Sequence, residues 1–364
     1  MTASGGAGER DQSGFGIKEA LGRLGDRRDL SADEMAAAVG AIMDGQATPA
    51  QIGGLLTALR LKGETVEEIV GAARAMRARM LRLPGEDQSG AAVDTCGTGG
   101  DGSGSVNLST LAAFMVAACG VPVAKHGNRA LSSKSGSHDV IEALGLDPAP
   151  PPALAARCLA EARLAFLFAP LYHAATKAVA GPRRELGFRT IFNVLGPLTN
   201  PAGARFAVNG VFARERCATL AEAHKRLGTE RAWVVHGAGG LDEIAPSGET
   251  FVAELRGGVV RTFAVTPGDF GLPASDPAGL RGGDPAFNAR VLGEALSGAP
   301  GPVRNVAAMT AGAALFVVGA APDLRAAAAR AVATLDDGSA RVVLERLRRL
   351  APVLPPTPTP ASTP

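Results

Sequence analysis

From Ala91 to His236 short β-type runs alternate with longer helical stretches, and this alternation limits the fold more than any other feature of the chain. The pattern predicts strands over Ala91–Asp94, Val121–Lys125, Leu164–Phe168, Phe206–Phe212 and Ala232–His236. Between them it predicts helices over Leu108–Cys119, Asp139–Leu144, Leu154–Glu161 and Cys217–Leu227. A parallel neighbour needs a long crossover, and a helix is the usual one. The expected product is a mostly parallel sheet covered by helices. Phe251–Leu255 and Val259–Val265, flanking Arg256-Gly257-Gly258, read as a hairpin. Two or three further helices are expected up to about Leu350.

Ahead of the alternation the pattern is different. Ser31…Glu34, Thr48…Gln51 and Thr65…Glu68 are three capping boxes in succession. Each places a hydroxyl at an N-cap and an acid or amide three residues on, and Pro49 takes the favoured first helical position. Met35, Val39, Ile42 and Met43 recur at helical spacing behind the first box, as do Ile52, Leu55, Leu56 and Leu59 behind the second. The residues from about 16 to 82 therefore read as helical throughout, and the pattern changes at Pro84–Gly90. The expected class is α/β: a small all-helical domain over 16–90 and a larger α/β domain over 91–351. The tails at 1–15 and 352–364 are expected to be disordered, the second for its Pro, Thr, Ala and Ser content.

Composition narrows the partners. The net charge of +2 advertises no basic face, so nucleic acid is not expected and phosphate must be held by local geometry. Cys96, Cys119, Cys158 and Cys217 lie far apart with no CxxC pair, which argues against a zinc site or disulfide framework and for reduced thiols. The Gly- and Ser-rich start lacks the apolar stretch of a signal peptide. Val306–Ala321 is alanine-rich and interrupted by Gly312 and Gly319. It reads as a buried core helix, since a membrane span needs roughly 20 strongly apolar residues. A cytoplasmic protein with no membrane partner is expected.

Four segments carry chemistry. Gly97-Thr98-Gly99-Gly100-Asp101-Gly102-Ser103-Gly104-Ser105 holds five glycines in eight positions, too many for a helix or strand. It leaves one predicted strand and enters a helix near Leu108, where backbone N–H groups and the helix dipole suit an anion. No Walker lysine closes it. The second segment, Lys125–Ser137, follows the next strand and so emerges at the same sheet edge. Lys125, Arg129 and Lys134 can neutralise phosphate, and its serines can donate. In the third, Asp242-Glu243 follows Ala232–His236 and a glycine turn, and suits a hard divalent cation. In the fourth, Arg183 can grip a carboxylate bidentately or form a surface ion pair. Asp336-Asp337 reads only as a turn before Gly338.

GTGGD with NLST, KHGNRALSSKSGS, RRELGFRTIFNVLGPLTNP and HGAGGLDEIAPSG, in that order, resemble the anthranilate phosphoribosyltransferase family. ATPAQIGGLLTALRLKGETVEEI and LRGGDPAFNARVL extend the likeness from about Leu30 to Leu350. The resemblance implies a nucleoside phosphorylase/phosphoribosyltransferase-like fold with a cleft between its domains, 172–194 packing on the helical one. It implies a homodimer formed through the helical domain. It also implies an activity in L-tryptophan synthesis: anthranilate joined to the ribose of phosphoribosyl pyrophosphate (PRPP), with release of pyrophosphate. By resemblance Gly97, Gly100, Asp101, Ser105, Asn107, Leu108, Ser109 and Thr110 hold PRPP. Lys125, His126, Gly127, Asn128, Arg129, Ala130, Leu131, Ser132, Ser133 and Ser137 complete that site. Gly97, Asn128 and Arg183 match the anthranilate contacts, while Ser109, Asp242 and Glu243 match those that bind Mg2+. The chain departs from the family at Thr176-Lys177-Ala178, at Gly181-Pro182 and at His138.

Such a reaction displaces pyrophosphate from the anomeric carbon by a neutral aromatic amine, and no nucleophilic triad is required. The leaving group needs charge neutralisation, which Lys125 and magnesium can supply. Arg183 and Asn128 position the acceptor. His126 orients the acceptor or the loop and is not assigned as a general base. Lys125, His126 and Arg183 are the candidate catalytic residues. Two other readings stay open. A pyrimidine nucleoside phosphorylase shares the fold and a related glycine loop but does not need Asp242-Glu243. A non-catalytic nucleic-acid-binding relative should carry a strongly basic surface.

Overall fold

The computed structural model describes residues 15–85, 91–130 and 134–353. All three capping boxes close. The hydroxyls of Ser31, Thr48 and Thr65 accept the N–H groups of Glu34, Gln51 and Glu68 at 3.3, 3.3 and 3.2 Å. The acid and amide oxygens accept the N-cap N–H groups in return at 3.0, 2.9 and 2.9 Å. These caps start α2 (Ala32–Met43), α3 (Pro49–Lys62) and α4 (Val66–Arg79), which follow α1 (Ile17–Gly25). α2 and α4 approach closely at Gly71, where a Cβ would stand 2.2 Å from the Ala32 carbonyl oxygen. Only glycine fits there.

Seven strands follow: β1 (Val93–Asp94), β2 (Val123–Gly127), β3 (Leu164–Phe168), β4 (Phe206–Gly210), β5 (Arg231–Gly237), β6 (Thr250–Arg256) and β7 (Val259–Val265). They form one sheet in the order β3-β2-β1-β4-β5-β6-β7. β1 to β5 are parallel, and the β6–β7 hairpin continues the sheet antiparallel. The fold is thus a helical N-terminal domain with a larger α/β domain on a mostly parallel sheet.

The two faces of the sheet feed two cores, as the period of two requires. Trp233 and Val235 of β5 join helices Leu108–Ala118 and Pro302–Val317 in one core. Val234 faces the other, which contains α1 to α4 together with Val179, Ile191, Phe192 and Leu195. Leu220 and Ala221 of helix Arg216–Arg226 belong to it too. One apolar core therefore runs unbroken from the N-terminal helices onto the sheet. Arg77 of α4 adds two hydrogen bonds across that boundary, from Nε to the Leu198 carbonyl at 2.7 Å and from a terminal nitrogen to that of Leu227 at 2.8 Å.

β2 runs two residues later than predicted and β4 ends two residues earlier, and three departures from the predicted elements have a visible cause. Four helices, not two or three, fill the C-terminal part: Pro285–Leu296, Pro302–Val317, Leu324–Asp336 and Ser339–Leu350. The breaks between them are only a few residues long, and the Asp284 and Asp323 side chains cap the helices that follow. β1 is two residues long because Cys96 N–H turns aside to Asp94 Oδ1 at 3.0 Å. Helix Lys177–Leu186 contains Pro182 and ends at Gly187 with φ +66°; an interior proline argues against a helix, and the sequence pattern did not predict one. Among the described residues no helix is long and apolar enough to cross a membrane.

Candidate active site

β1 ends at Asp94, and the chain beyond it is pinned before the glycine loop begins. Lys125 Nζ donates to the Thr95 carbonyl at 3.1 Å, Asn209 Nδ2 to that of Cys96 at 2.7 Å, and Thr98 N–H to that of Gly210 at 2.8 Å. Gly97 sits in a tight approach: a Cβ there would lie 3.2 Å from the Gly210 oxygen and 3.3 Å from Asp242 Oδ2. Gly99, Gly100, Gly102 and Gly104 have φ of +66°, +76°, +79° and +62°, values L side chains rarely adopt. The five glycines are thus spent on one close approach and four left-handed turns.

Five of the candidate side chains meet beside this loop. Lys125 Nζ donates to Ser109 Oγ at 3.1 Å, and Ser109 N–H donates to Glu243 Oε1 at 3.3 Å. Asp242 N–H donates to Asp101 Oδ2 at 3.3 Å, while Asp101 Oδ1 accepts both donors of Ser103. Withdrawal from water raises Asp242 well above the usual carboxylate range, and the charges of Asp101 and Glu243 add to the effect. Glu243 rises to about 7, chiefly through burial, with Lys125 opposing. Crowded acids of this kind favour a cation. Magnesium typically takes one or two carboxylates and completes its octahedron with water and substrate phosphate, so the donor set fits.

A second cluster does not fit a cation. Asp94, Cys96 and His126 are the one set of three ligand-type atoms within 4.8 Å of one another among the described residues. The Asp94 oxygens are already occupied by the N–H groups of Cys96 and His126 and by Asn200 Nδ2 at 2.6 Å.

The loop after β2 folds back on itself. Its described ends are closed by Asp139, whose Oδ2 accepts the N–H groups of Ala130 and Gly136, both at 2.9 Å. Arg129 is committed to Asp139 at 3.0 Å and Glu142 at 2.7 Å, so in this conformation its charge is neutralised within the protein rather than offered to phosphate. Asn128 is exposed, its Oδ1 accepting the Arg129 N–H at 2.7 Å. Gly127 touches Ser137, whose Oγ a Cβ would meet at 2.4 Å. Leu131, Ser132 and Ser133 lie outside the described residues.

At the start of the next helix Leu108 and Thr110 are buried, and Leu108 N–H is spent on the Val106 carbonyl at 2.8 Å. Thr110 Oγ1 has no partner among the described residues. Asn107 turns its side chain away from the helix, donating to the Ser135 carbonyl at 3.4 Å and accepting from Asn288 Nδ2 at 3.0 Å. Ser105 Oγ lies 3.2 Å from Ser103 Oγ.

Arg183 lies on the helix Lys177–Leu186, a different element from the two phosphate-type loops. Its guanidinium carbon lies 5.6 Å from the Phe192 ring centre, and the guanidinium has no hydrogen bond or ion pair among the described residues. Burial lowers its pKa. An arginine kept half-buried and unpaired is suited to an anionic group from outside the chain. His126 is buried, with Nδ1 donating to the Gly196 carbonyl at 3.0 Å and Nε2 unpartnered. Burial pushes it down to about 4, so the ring is neutral. His173 packs against it with ring centres 5.1 Å apart.

The glycosyl transferase family, a/b domain, matches residues 89–341, and the helical bundle domain of that family matches 18–80. The anthranilate phosphoribosyltransferase of Rhodospirillum rubrum is 54% identical over 331 residues, 91% of this chain and 94% of that protein. The chain belongs to the anthranilate phosphoribosyltransferase family. It transfers the 5-phosphoribosyl group of PRPP to anthranilate, and the phosphorylase and nucleic-acid readings are set aside. The anthranilate phosphoribosyltransferase of Thermus thermophilus superposes with a TM-score of 0.85 at 43% identity, covering 91% of this chain and 98% of that one. That of Saccharomyces cerevisiae, solved in complex with PRPP and Mg, gives 0.81 at 27% identity, covering 92% and 97%.

For an anthranilate phosphoribosyltransferase, the sequence reading missed several supporting residues. Asp139 closes the second loop from the third position of the helix Ser137–Ala143, a cap signal readable in Gly136…Asp139. Asn288 holds Asn107 from a segment 181 residues away, and no local pattern announces that. Arg189 donates to the Gly100 carbonyl and stacks 4.4 Å from the Phe212 ring centre, a contact between two loops that spacing alone does not reveal.

Proposed function

We propose that PRPP binds over the glycine loop, with its phosphates on the loop N–H groups and on the segment Lys125–Ser137. The product is N-(5-phosphoribosyl)anthranilate, made for tryptophan synthesis. The observation that carries this reading is the meeting of Asp101, Ser109, Lys125, Asp242 and Glu243 beside Gly97, delivered by four separate stretches of chain. Asp242, Glu243 and Ser109 would hold Mg2+. Bound there, it would supply positive charge against that building up on the departing pyrophosphate. Lys125 is fixed by Thr95 and Ser109 and supplies a preorganised positive charge that needs no rearrangement as the bond breaks.

Arg183 receives the anthranilate carboxylate, supported by its unpaired guanidinium, and Asn128 helps to place the ring. His126 orients and is given no proton-transfer role: its imidazole is neutral, and its one N–H, on Nδ1, is spent on the Gly196 carbonyl. Residues 172–194 are taken with the helical domain, supported by Val179, Ile191, Phe192 and Val194 in its core. The helical domain is taken as the contact of a homodimer, supported by Leu61, which is 78% exposed on α3. The four free cysteines support a reducing, cytoplasmic setting.

The reading is tested by following anthranilate consumption with PRPP and Mg2+, across a panel of aminobenzoates. Turnover that requires PRPP and the ortho carboxylate supports it. Equal turnover of aniline would remove the role given to Arg183.

A further inference from the structure

Asn209 is the fourth residue of β4 and has no exposed surface. Its Nδ2 donates to the Cys96 carbonyl at 2.7 Å, and its Oδ1 faces His224 Nε2 at 2.8 Å. His224 is 2% exposed in the last turn of helix Arg216–Arg226, and its Nδ1 faces the Thr229 hydroxyl at 2.9 Å. This chain of contacts has one consistent arrangement of protons. An amide oxygen only accepts, so His224 Nε2 carries the hydrogen, and Nδ1 then accepts from Thr229. Burial, with Arg77 adding to it, pushes His224 down to about 3, so the ring stays neutral, and the Cys96 carbonyl, by fixing the Asn209 amide, fixes the tautomer. A flipped Asn209 amide would face the Cys96 carbonyl with its oxygen and the His224 N–H with its nitrogen, losing both bonds.

What this arrangement holds is the entrance to the glycine loop. β1 stops at Asp94, so residues 95–98 have no ladder to define their path. The Asn209 amide stands in for a ladder bond at Cys96, one residue before Gly97, where the crowding against Gly210 and Asp242 leaves only tenths of an ångström. The other end of the relay lies at the boundary with the N-terminal helices, where Arg77 binds the Leu227 carbonyl two residues before Thr229.

We propose that Asn209, His224 and Thr229 form a positioning relay that sets the backbone at Gly97 and thereby tunes PRPP binding from the far side of the sheet. The proposal rests on reading the glycine loop as the PRPP site. None of the three residues touches the reacting atoms.

The test compares His224→Leu, His224→Gln and Ser109→Ala with the unaltered enzyme. KM for each substrate, calorimetric titration with PRPP and Mg2+, and melting temperature are measured for all four. The leucine variant is expected to raise the PRPP KM by about 10-fold, the scale of one lost buried hydrogen bond, with the anthranilate KM within twofold. Glutamine, whose amide can donate from nearly the place of Nε2, is expected to restore most of the affinity. If the leucine variant does not fold, His224→Asn, too short to reach Asn209, takes its place beside the glutamine variant. Equal changes in both KM values, or a lower melting temperature with unchanged PRPP affinity, overturn the relay. Ser109→Ala separates the two ideas. Lost PRPP affinity there with an unchanged leucine variant removes the relay alone, whereas full affinity in Ser109→Ala removes the loop assignment and the relay with it.

Discussion

Ser109 N–H donates to Glu243 Oε1 at 3.3 Å, tying the helix that follows the glycine loop to the acidic pair that follows β5. The acids there are held against their own desolvation and mutual repulsion. Asp242→Asn with Glu243→Gln should therefore remove most turnover while leaving the melting temperature unchanged or higher. Initial rates over a range of Mg2+ concentrations check this, and unchanged activity at limiting Mg2+ would falsify the metal assignment.

Arg183→Ala should raise the KM for anthranilate by roughly 10- to 150-fold, the value of a charge-assisted bidentate contact of about 1.5–3 kcal/mol. The KM for PRPP should move far less. Arg183→Lys should recover only part, because an ammonium cannot match a carboxylate in the same fork. Equal effects on both substrates would make the stacking on Phe192 the whole of its role.

The two substrates should bind in order. The glycine loop and the loop after β2 belong to the α/β domain, while Arg183 lies on the helix Lys177–Leu186, packed on α3 and α2. Anthranilate then gains affinity once PRPP has drawn the two sides together, and the coupling must be reciprocal at equilibrium. Calorimetry with an unreactive PRPP analogue measures it. Equal anthranilate affinity with and without the analogue means the cleft is closed beforehand.

Acid should unfold this protein early. Burial is the main cause that holds His126 near 4 and His138, His173 and His224 near 3, while an unfolded histidine titrates at about 6.5. Folded-state values below the unfolded one mean that stability is complete above about pH 6.5 and is lost as pH falls towards 4. Each group contributes a slope of up to about 1.4 kcal/mol per pH unit, so the four together reach at most about 5.5 kcal/mol per pH unit. Urea midpoints measured from pH 8 to pH 5 should fall steeply below 6.5. A flat profile would contradict their burial in neutral form.

Glu68 should be the most sensitive acid of the N-terminal helices. It is fully buried and accepts from Leu30 N–H at 3.0 Å, Thr65 N–H at 2.9 Å and Lys62 Nζ at 3.0 Å. Glu68→Ala leaves the Leu30 and Thr65 N–H groups short of a partner, while Lys62 keeps Asp29 at 2.7 Å and the Gly63 carbonyl at 2.8 Å; each buried donor left unpaired typically costs about 1–3 kcal/mol. Denaturant unfolding reads this directly, and a loss below about 1 kcal/mol would show that water replaces the carboxylate.

The elements most legible in the sequence are those decided locally. Ser31, Thr48 and Thr65 announce their helices because a cap is a contact over three residues, and the glycines at 99, 100, 102 and 104 announce a loop because each φ is positive. β3 and β7 match their predicted bounds for a related reason: strong apolar content is cut off by a turn. Pro182 hid its helix, since the packing that tolerates it comes from α2 and α3. At the site, Asp242-Glu243 was readable as an acidic pair, but its contact with Asp101, 141 residues earlier, was not. Arg129 looked like a free cation because Asp139 and Glu142 reach it only once the loop has closed.

The core shared by α1 to α4 with Val179, Ile191, Phe192, Leu195 and Leu220 bears on how the chain is made. During synthesis α4 leaves the ribosome more than a hundred residues ahead of the segments that cover it. At about 5–20 residues per second the first helices wait roughly ten seconds with an apolar side open. The nascent N-terminus thus becomes a finished structure only when the middle of the message has been read.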